Sequence, residues 1–159
     1  MGQDIPKQFL NGHDRPVIIY TLEAFEGHPN IDANEVVCVD GWETILTAYC
    51  KQFNITKLEN IVKGGDNGQS SIRNGITDIA SRHKPEDLVL IHDAIRPMVS
   101  EDIISDCIRV ASKYGNAITS IPCMEAMLRT ADGVSSREQI ARDNLKRTQT
   151  PQAARLGEL

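Results

Sequence analysis

Short apolar, β-branched runs alternate along this chain with amphipathic stretches, and that alternation most constrains its fold. The runs are 35–39 (EVVCV), 60–62 (NIV), 87–91 (DLVLI) and 117–121 (AITSI). They are too short for buried helices and lack polar alternation, which fits strands covered on both faces. Between them, Trp42, Ile45, Leu46, Tyr49 and Phe53 form one helical stripe, and Ile72, Ile76, Ile79 and Ala80 form another ending near Arg82 and His83. Ile103, Ile104, Cys107, Ile108 and Ala111 predict a third helix, with Ser100 as its N-cap and Gly115 as its stop. Residues 17–25 predict a helix ahead of the first strand. Strand–helix alternation of this kind implies right-handed crossovers and a three-layer α/β fold with a mostly parallel sheet.

The pattern changes over 122–144. Residues 124–130 and 134–140, joined by Asp132-Gly133, predict a β-arm projecting from the sheet on a tight turn. Residues 145–149 are expected to return to the sheet and 153–159 to begin a helix. A length of 159 residues suits one domain, 1–159. An α/β domain that opens on a loop and closes on half a helix reads as clipped at both ends.

Seventeen basic against 22 acidic residues leave a net charge of −5, which disfavours a general binder of nucleic acid or anionic membrane. Cys38, Cys50, Cys107 and Cys123 form no CxxC pair and have no histidine cluster beside them, so they read as small buried thiols rather than zinc or redox ligands. No run reaches 18 apolar residues, and there is no basic-then-apolar leader. Met1-Gly2 is followed by Pro6 where a myristoylation signal needs Ser or Thr. A cytoplasmic protein is expected.

Ligands of open parallel sheets sit beyond the carboxyl ends of the strands. Three segments fall there. The Gly-rich run 63–71 (KGGDNGQSS) joins a strand to a helix start, where backbone can approach a ligand and N–H groups are free, although such a turn also serves as a plain helix start. It is not a Walker loop, since no Lys follows the last Gly. Segment 91–97 (IHDAIRP) offers the Asp93 carboxylate for a metal and the Arg96 guanidinium for a phosphate, or else an ion pair that closes the loop. His92 reads as packing beneath the site. Lys7, between Pro6 and an apolar pair, is a restrained ammonium able to meet a phosphate, or an ordinary surface lysine. No GxGxxG follows a first strand, which argues against a dinucleotide-binding domain.

MGQDIPKQF (1–9), GGDNGQSSIRNG (64–75), HDAIRP (92–97) and QTPQ (149–152) stand in the order and at the spacing of the alditol-phosphate cytidylyltransferases. The chain resembles that family over nearly its whole length. The family comprises enzymes acting on 2-C-methyl-D-erythritol 4-phosphate, an isoprenoid precursor, and on ribitol 5-phosphate, for cell-surface polymers. The resemblance implies a Rossmann-like nucleotidyltransferase fold. It also implies transfer of CMP from CTP to the substrate phosphate, giving a CDP-alditol and pyrophosphate, with Mg²⁺ on the nucleotide. The main reading of that substrate is 2-C-methyl-D-erythritol 4-phosphate, with ribitol 5-phosphate as an alternative. It assigns Lys7 to the α-phosphate charge, Asp93 to the metal, Arg96 to the polyol phosphate, and Gly64, Gly65, Asp66 and Ser71 to the nucleotide. Arg142, on the arm, is matched to a substrate phosphate across a homodimer interface formed by the arm at 122–144, and Thr150 to the substrate pocket.

The departures also carry expectations. Family members open with a strand and a Gly-rich loop ending in Arg-Met-Gly, whereas this chain starts at that Met. They also continue beyond the TPQ motif. On that ground these 159 residues alone are expected to turn over slowly or not at all, Met1 is suspect as a start, and a non-catalytic CTP-binding or scaffold homologue is the alternative. Glu125-Ala126 stands where Asp-Thr is frequent and Gly68 where Arg is frequent, which leans toward ribitol phosphate.

Overall fold

The computed structural model describes residues 5–159. Met1 and Gly2, on which the start-site and myristoylation readings rest, lie outside the described residues. A 3-10 turn at Lys7–Phe9 leads into a small antiparallel hairpin, β1 (Asn11–Gly12) and β2 (Arg15–Pro16), and then helix α1 (Val17–Glu26). Strand β3 (Asn34–Cys38), helix α2 (Glu43–Gln52), strand β4 (Leu58–Lys63) and helix α3 (Gly68–Ala80) follow. Next come β5 (Leu88–Ile91), α4 (Glu101–Tyr114), β6 (Asn116–Pro122), the arm strands β7 (Met127–Arg129) and β8 (Glu138–Ile140), and β9 (Lys146–Arg155). These strands and helices alternate as the apolar periodicity predicts.

Local chemistry fixes the helix ends. The Ser100 hydroxyl accepts from Ile103 N, Glu101 and Asp102 occupy the positive end of α4, and Gly115 ends it at φ 95°. Asn67 caps α3 reciprocally with Ser70, each side chain accepting from the other's backbone N–H.

Apart from the β1–β2 hairpin and the arm, the strands form two separate units. β3 and β4 pair in parallel, from Asn34↔Leu58 to Cys38↔Lys63. β9 lies between β5 and β6 and is antiparallel to both, with Ala153 opposite Leu90 on one side and Ala117 on the other. The α/β class therefore stands, and β5 and β6 share a direction. Their direct neighbour is reversed because the arm hands the chain back at the carboxyl end of β6, and a strand entering there must run the other way. Among the described residues, the edge of β3 away from β4 and the edge of β5 away from β9 carry no strand partner.

Helix α1 spans the two units. Ile18, Ile19 and Leu22 pack with Val36 and Cys38 of β3 and with Leu46 and Cys50 of α2. One turn later, Phe25 packs with Ile31, with Ile104 of α4 and with Leu90 of β5. On the second unit, small side chains (Cys107 and Ala111 of α4, Ala117 and Ala153 of the sheet) let helix and strands approach closely.

Two expectations are corrected. The segment 153–159 does not begin a helix: β9 runs to Arg155, and a 3-10 turn follows at Leu156–Glu158. Ala153 and Ala154 are taken up by the ladders on both sides, and Leu156 N donates to Asp87 O while Gly157 N donates to Pro85 O. The arm is a hairpin, Met127↔Ile140 to Arg129↔Glu138, but its turn is longer than Asp132-Gly133. The Asp132 carboxylate accepts from Val134 N, Ser135 N and the Thr130 and Ser135 hydroxyls, and that local network displaces the two-residue turn.

Candidate active site

A cleft of about 440 Å³ opens at the carboxyl ends of β3 and β4. Gly64, Gly65, Asp66 and Ser71 all line it, together with Val37, Asp40 and Lys63. The Gly-rich run is held tightly. Gly64 N donates to Cys38 O at 2.7 Å, and Gly65 N donates to the Ser71 hydroxyl at 3.0 Å. A Cβ on Gly65 would lie 2.6 Å from Ser70 Cβ and 2.9 Å from its carbonyl carbon, so only glycine fits. The Ser71 hydroxyl thus shapes the loop from inside. Lys63 and Asp40 pair at 2.8 Å on the rim, and Asp40 raises the Lys63 pKa.

The second cluster gathers at the end of β5. Arg96 Nε donates to Asp93 Oδ2 at 2.6 Å, and Arg96 Nη1 donates to the Gln149 side-chain oxygen at 2.6 Å. Asp93 N donates to the Thr150 hydroxyl at 3.3 Å. Asp93 and Arg96 remain about half exposed, within reach of a ligand. His92 lies beneath them as the sequence suggests: its ring stands 5.1 Å from Phe25, and its Nε2 is 3.0 Å from Arg96 O. Burial lowers the His92 pKa, so the neutral ring donates through Nε2 and leaves a buried, unpartnered Nδ1.

β9 delivers Gln149 and Thr150 through an irregularity. Ile118 faces Gln152 while Ser120 faces Thr148, so β9 carries extra residues at 149–151. Pro151 has no N–H to give the ladder, and its carbonyl is tied down by the Thr119 hydroxyl at 2.7 Å and by the Cys107 thiol. The bulge turns Gln149 and Thr150 toward the 92–97 loop.

Lys7 and Arg142 stand apart from these contacts. Lys7 sits exposed on its 3-10 turn, anchored by Phe9, which stacks on Trp42 at 4.6 Å. Phe9 and Ala94 pack on one core cluster, so the turn carrying Lys7 and the loop carrying Asp93 share an anchor. Arg142 stands at the base of the arm and donates to Met124 O at 3.1 Å. Beside it, Glu125 pairs with Arg147 at 2.6 Å. Sequence reasoning missed Gln149, although the QTPQ motif contains it, and missed the Arg147–Glu125 pair.

Among the described residues no helix is long and apolar enough to cross a membrane, and the four cysteines are free and buried. There is also no grouping of three or more His, Cys, Asp or Glu side chains able to hold a metal.

Comparison with known proteins gives these two clusters a context. A ribitol-5-phosphate cytidylyltransferase of Lacticaseibacillus paracasei is 41% identical over 153 residues, which is 96% of this chain and 65% of that protein. A 2-C-methyl-D-erythritol 4-phosphate cytidylyltransferase of Clostridium tetani is 36% identical, over 96% of this chain and 61% of its own length. The crystal structure of the Francisella tularensis 2-C-methyl-D-erythritol 4-phosphate cytidylyltransferase superposes with a TM-score of 0.79 at 28% identity, covering 98% of this chain and 68% of that one. The chain therefore spans about two thirds of the length of such relatives. The family model described as IspD, 2-C-methyl-D-erythritol 4-phosphate cytidylyltransferase, matches residues 1–159. Matched over its whole length by that model, the chain belongs to the IspD family.

Proposed function

We propose that the protein is a cytidylyltransferase that moves CMP from CTP to an alditol phosphate. An oxygen of the substrate phosphate attacks the α-phosphorus of CTP, the bond to the β-phosphate breaks, and pyrophosphate leaves. The supporting observation is the Asp93–Arg96 pair at the carboxyl end of β5, an anion-binding and a cation-binding group side by side.

In this reading the cleft at Gly64, Gly65, Asp66 and Ser71 takes the nucleotide, its backbone shaped by Ser71. Arg96 receives the polyol phosphate, which a guanidinium matches bidentately. Lys7 supplies a positive charge to the α-phosphate. Thr150 fixes Asp93 through the backbone hydrogen bond at the edge of the substrate pocket. Asp93 fits Mg²⁺, since that ion is held by one or two carboxylates with phosphate oxygens and water filling the rest, and Asp93 Oδ1 has no hydrogen bond among the described residues. Bound there, the ion would neutralise charge on the triphosphate. The exposed arm hairpin is assigned to homodimer formation, with Arg142 reaching the partner's substrate, and free thiols suit a cytoplasmic setting.

Two polyol phosphates are in question, 2-C-methyl-D-erythritol 4-phosphate and ribitol 5-phosphate. The higher identity to the Lacticaseibacillus relative, and Glu125-Ala126 where the family often has Asp-Thr, favour ribitol 5-phosphate. Calorimetric titration with CTP and Mg²⁺, followed by pyrophosphate release with each polyol phosphate, tests this. Saturable CTP binding lost in Asp93→Ala, and preference for ribitol 5-phosphate, are expected. A folded protein that ignores CTP would overturn the reading.

A further inference from the structure

We infer that Gln149 is the residue that aims the Arg96 guanidinium, and that through Arg96 it sets the affinity for the substrate phosphate. The inference rests on the assignment of Arg96 to that phosphate.

The Gln149 amide is fixed at both ends. Its Nε2 donates to Thr148 O at 2.9 Å, which leaves Oε1 to accept from Arg96 Nη1 at 2.6 Å. Its own carbonyl accepts from Gln152 Nε2 at 3.1 Å, so the backbone of the bulge is pinned too. Gln149 is half-buried, whereas Arg96 is exposed. An exposed arginine ordinarily samples many rotamers. Here Asp93 takes Nε and Gln149 takes one N–H of Nη1, holding the planar group at two points. A guanidinium has five N–H donors, so three remain for a phosphate ester. The amide suits this task because it accepts a hydrogen bond without adding charge. A carboxylate at 149 would compete with the ligand for the guanidinium.

The bulge at 149–151 supplies the geometry. In an unbroken ladder, Gln149 would sit in register against β6. The extra residues, fixed by Thr119 and Cys107 at Pro151 O, turn it toward Arg96 instead. Asp93, on the loop after β5, and Gln149, on β9, are therefore two jaws closing on one side chain.

The test uses ¹⁵N-labelled protein, titrated with ribitol 5-phosphate and with inorganic phosphate, in Gln149→Ala, Gln149→Met, Arg96→Ala and the Gln149→Ala/Arg96→Ala double variant. The Arg96 Nε–H resonance, identified by its absence in Arg96→Ala, is expected to shift and lose order in Gln149→Ala and Gln149→Met before any ligand is added. Ligand affinity is expected to fall about fivefold in Gln149→Ala and about 30-fold in Arg96→Ala, with the double variant no weaker than Arg96→Ala alone. An unchanged Arg96 signal in both folded Gln149 variants, or effects that simply multiply, would overturn the inference. Should Arg96→Ala bind both ligands normally while the Gln149 variants still disorder Arg96, the aiming contact stands and the phosphate assignment falls.

Discussion

The Thr21 hydroxyl, on the second turn of α1, donates to the Ala94 carbonyl at 2.8 Å, tying the first long helix to the loop that bears Asp93 and Arg96. Thr21 is buried, so the bond has no water to replace it. Thr21→Val keeps the shape and removes the donor. A loss of about 1–2 kcal/mol in urea unfolding is expected, with weaker ligand binding at Arg96 because its loop is no longer held.

Gly65→Ala places a methyl group against Ser70, including its backbone carbon, which cannot swing aside. The start of α3 must move, at a cost of about 1–3 kcal/mol. Since the strained segment lines the cleft, CTP titration should show binding weakened by at least tenfold, with an unchanged circular dichroism spectrum.

Gly75 lies within α3 where a Cβ would stand 2.8 Å from Val37 and 3.2 Å from the Glu35 carboxylate. Helix propensity favours alanine by about 1 kcal/mol, but the overlap forces α3 off β3. Gly75→Ala is therefore expected to lower the thermal midpoint, and Gly68→Ala, with open space around it, to leave it equal or higher.

Glu35 gives a pH signature. Its side chain is nearly buried under α3, paired with Arg82, and its Oε1 has no hydrogen-bond partner. Burial, and secondarily the Asp78 carboxylate, pushes its pKa up to about 7, against an ordinary 4.5. The folded state thus holds the proton more tightly than the unfolded chain. Its stabilising contribution is complete below pH 4.5 and is lost as pH rises through about 7. Chemical denaturation between pH 5 and 8 should show stability falling across that window, and Glu35→Gln should flatten the slope.

Much of this was legible in the sequence because it is local. The EVVCV and DLVLI runs became β3 and β5 within a residue at each end, and Ser100 and Gly115 bound α4 as read. The Gly-rich run lines one cleft for a local reason too, since Gly65 and Ser71 are six residues apart. β9 was half hidden: Pro151 argues against a central strand, and its place there depends on a bulge and on partners more than thirty residues away. Gln149 was invisible for the same reason, because its role is defined by Arg96, 53 positions earlier. Lys7, on its 3-10 turn, and Arg142, donating to Met124 O, do not meet Asp93 among the contacts of the described residues.

Helix α1 ties the β3–β4 unit to the β5–β9–β6 unit through two separate clusters, Ile19 in one and Phe25 in the other. The hinge between the units therefore consists of one helix whose successive turns are buried in different cores. Loosening Ile19 or Phe25 from its cluster should free one unit from the other more than an equally costly change within α4.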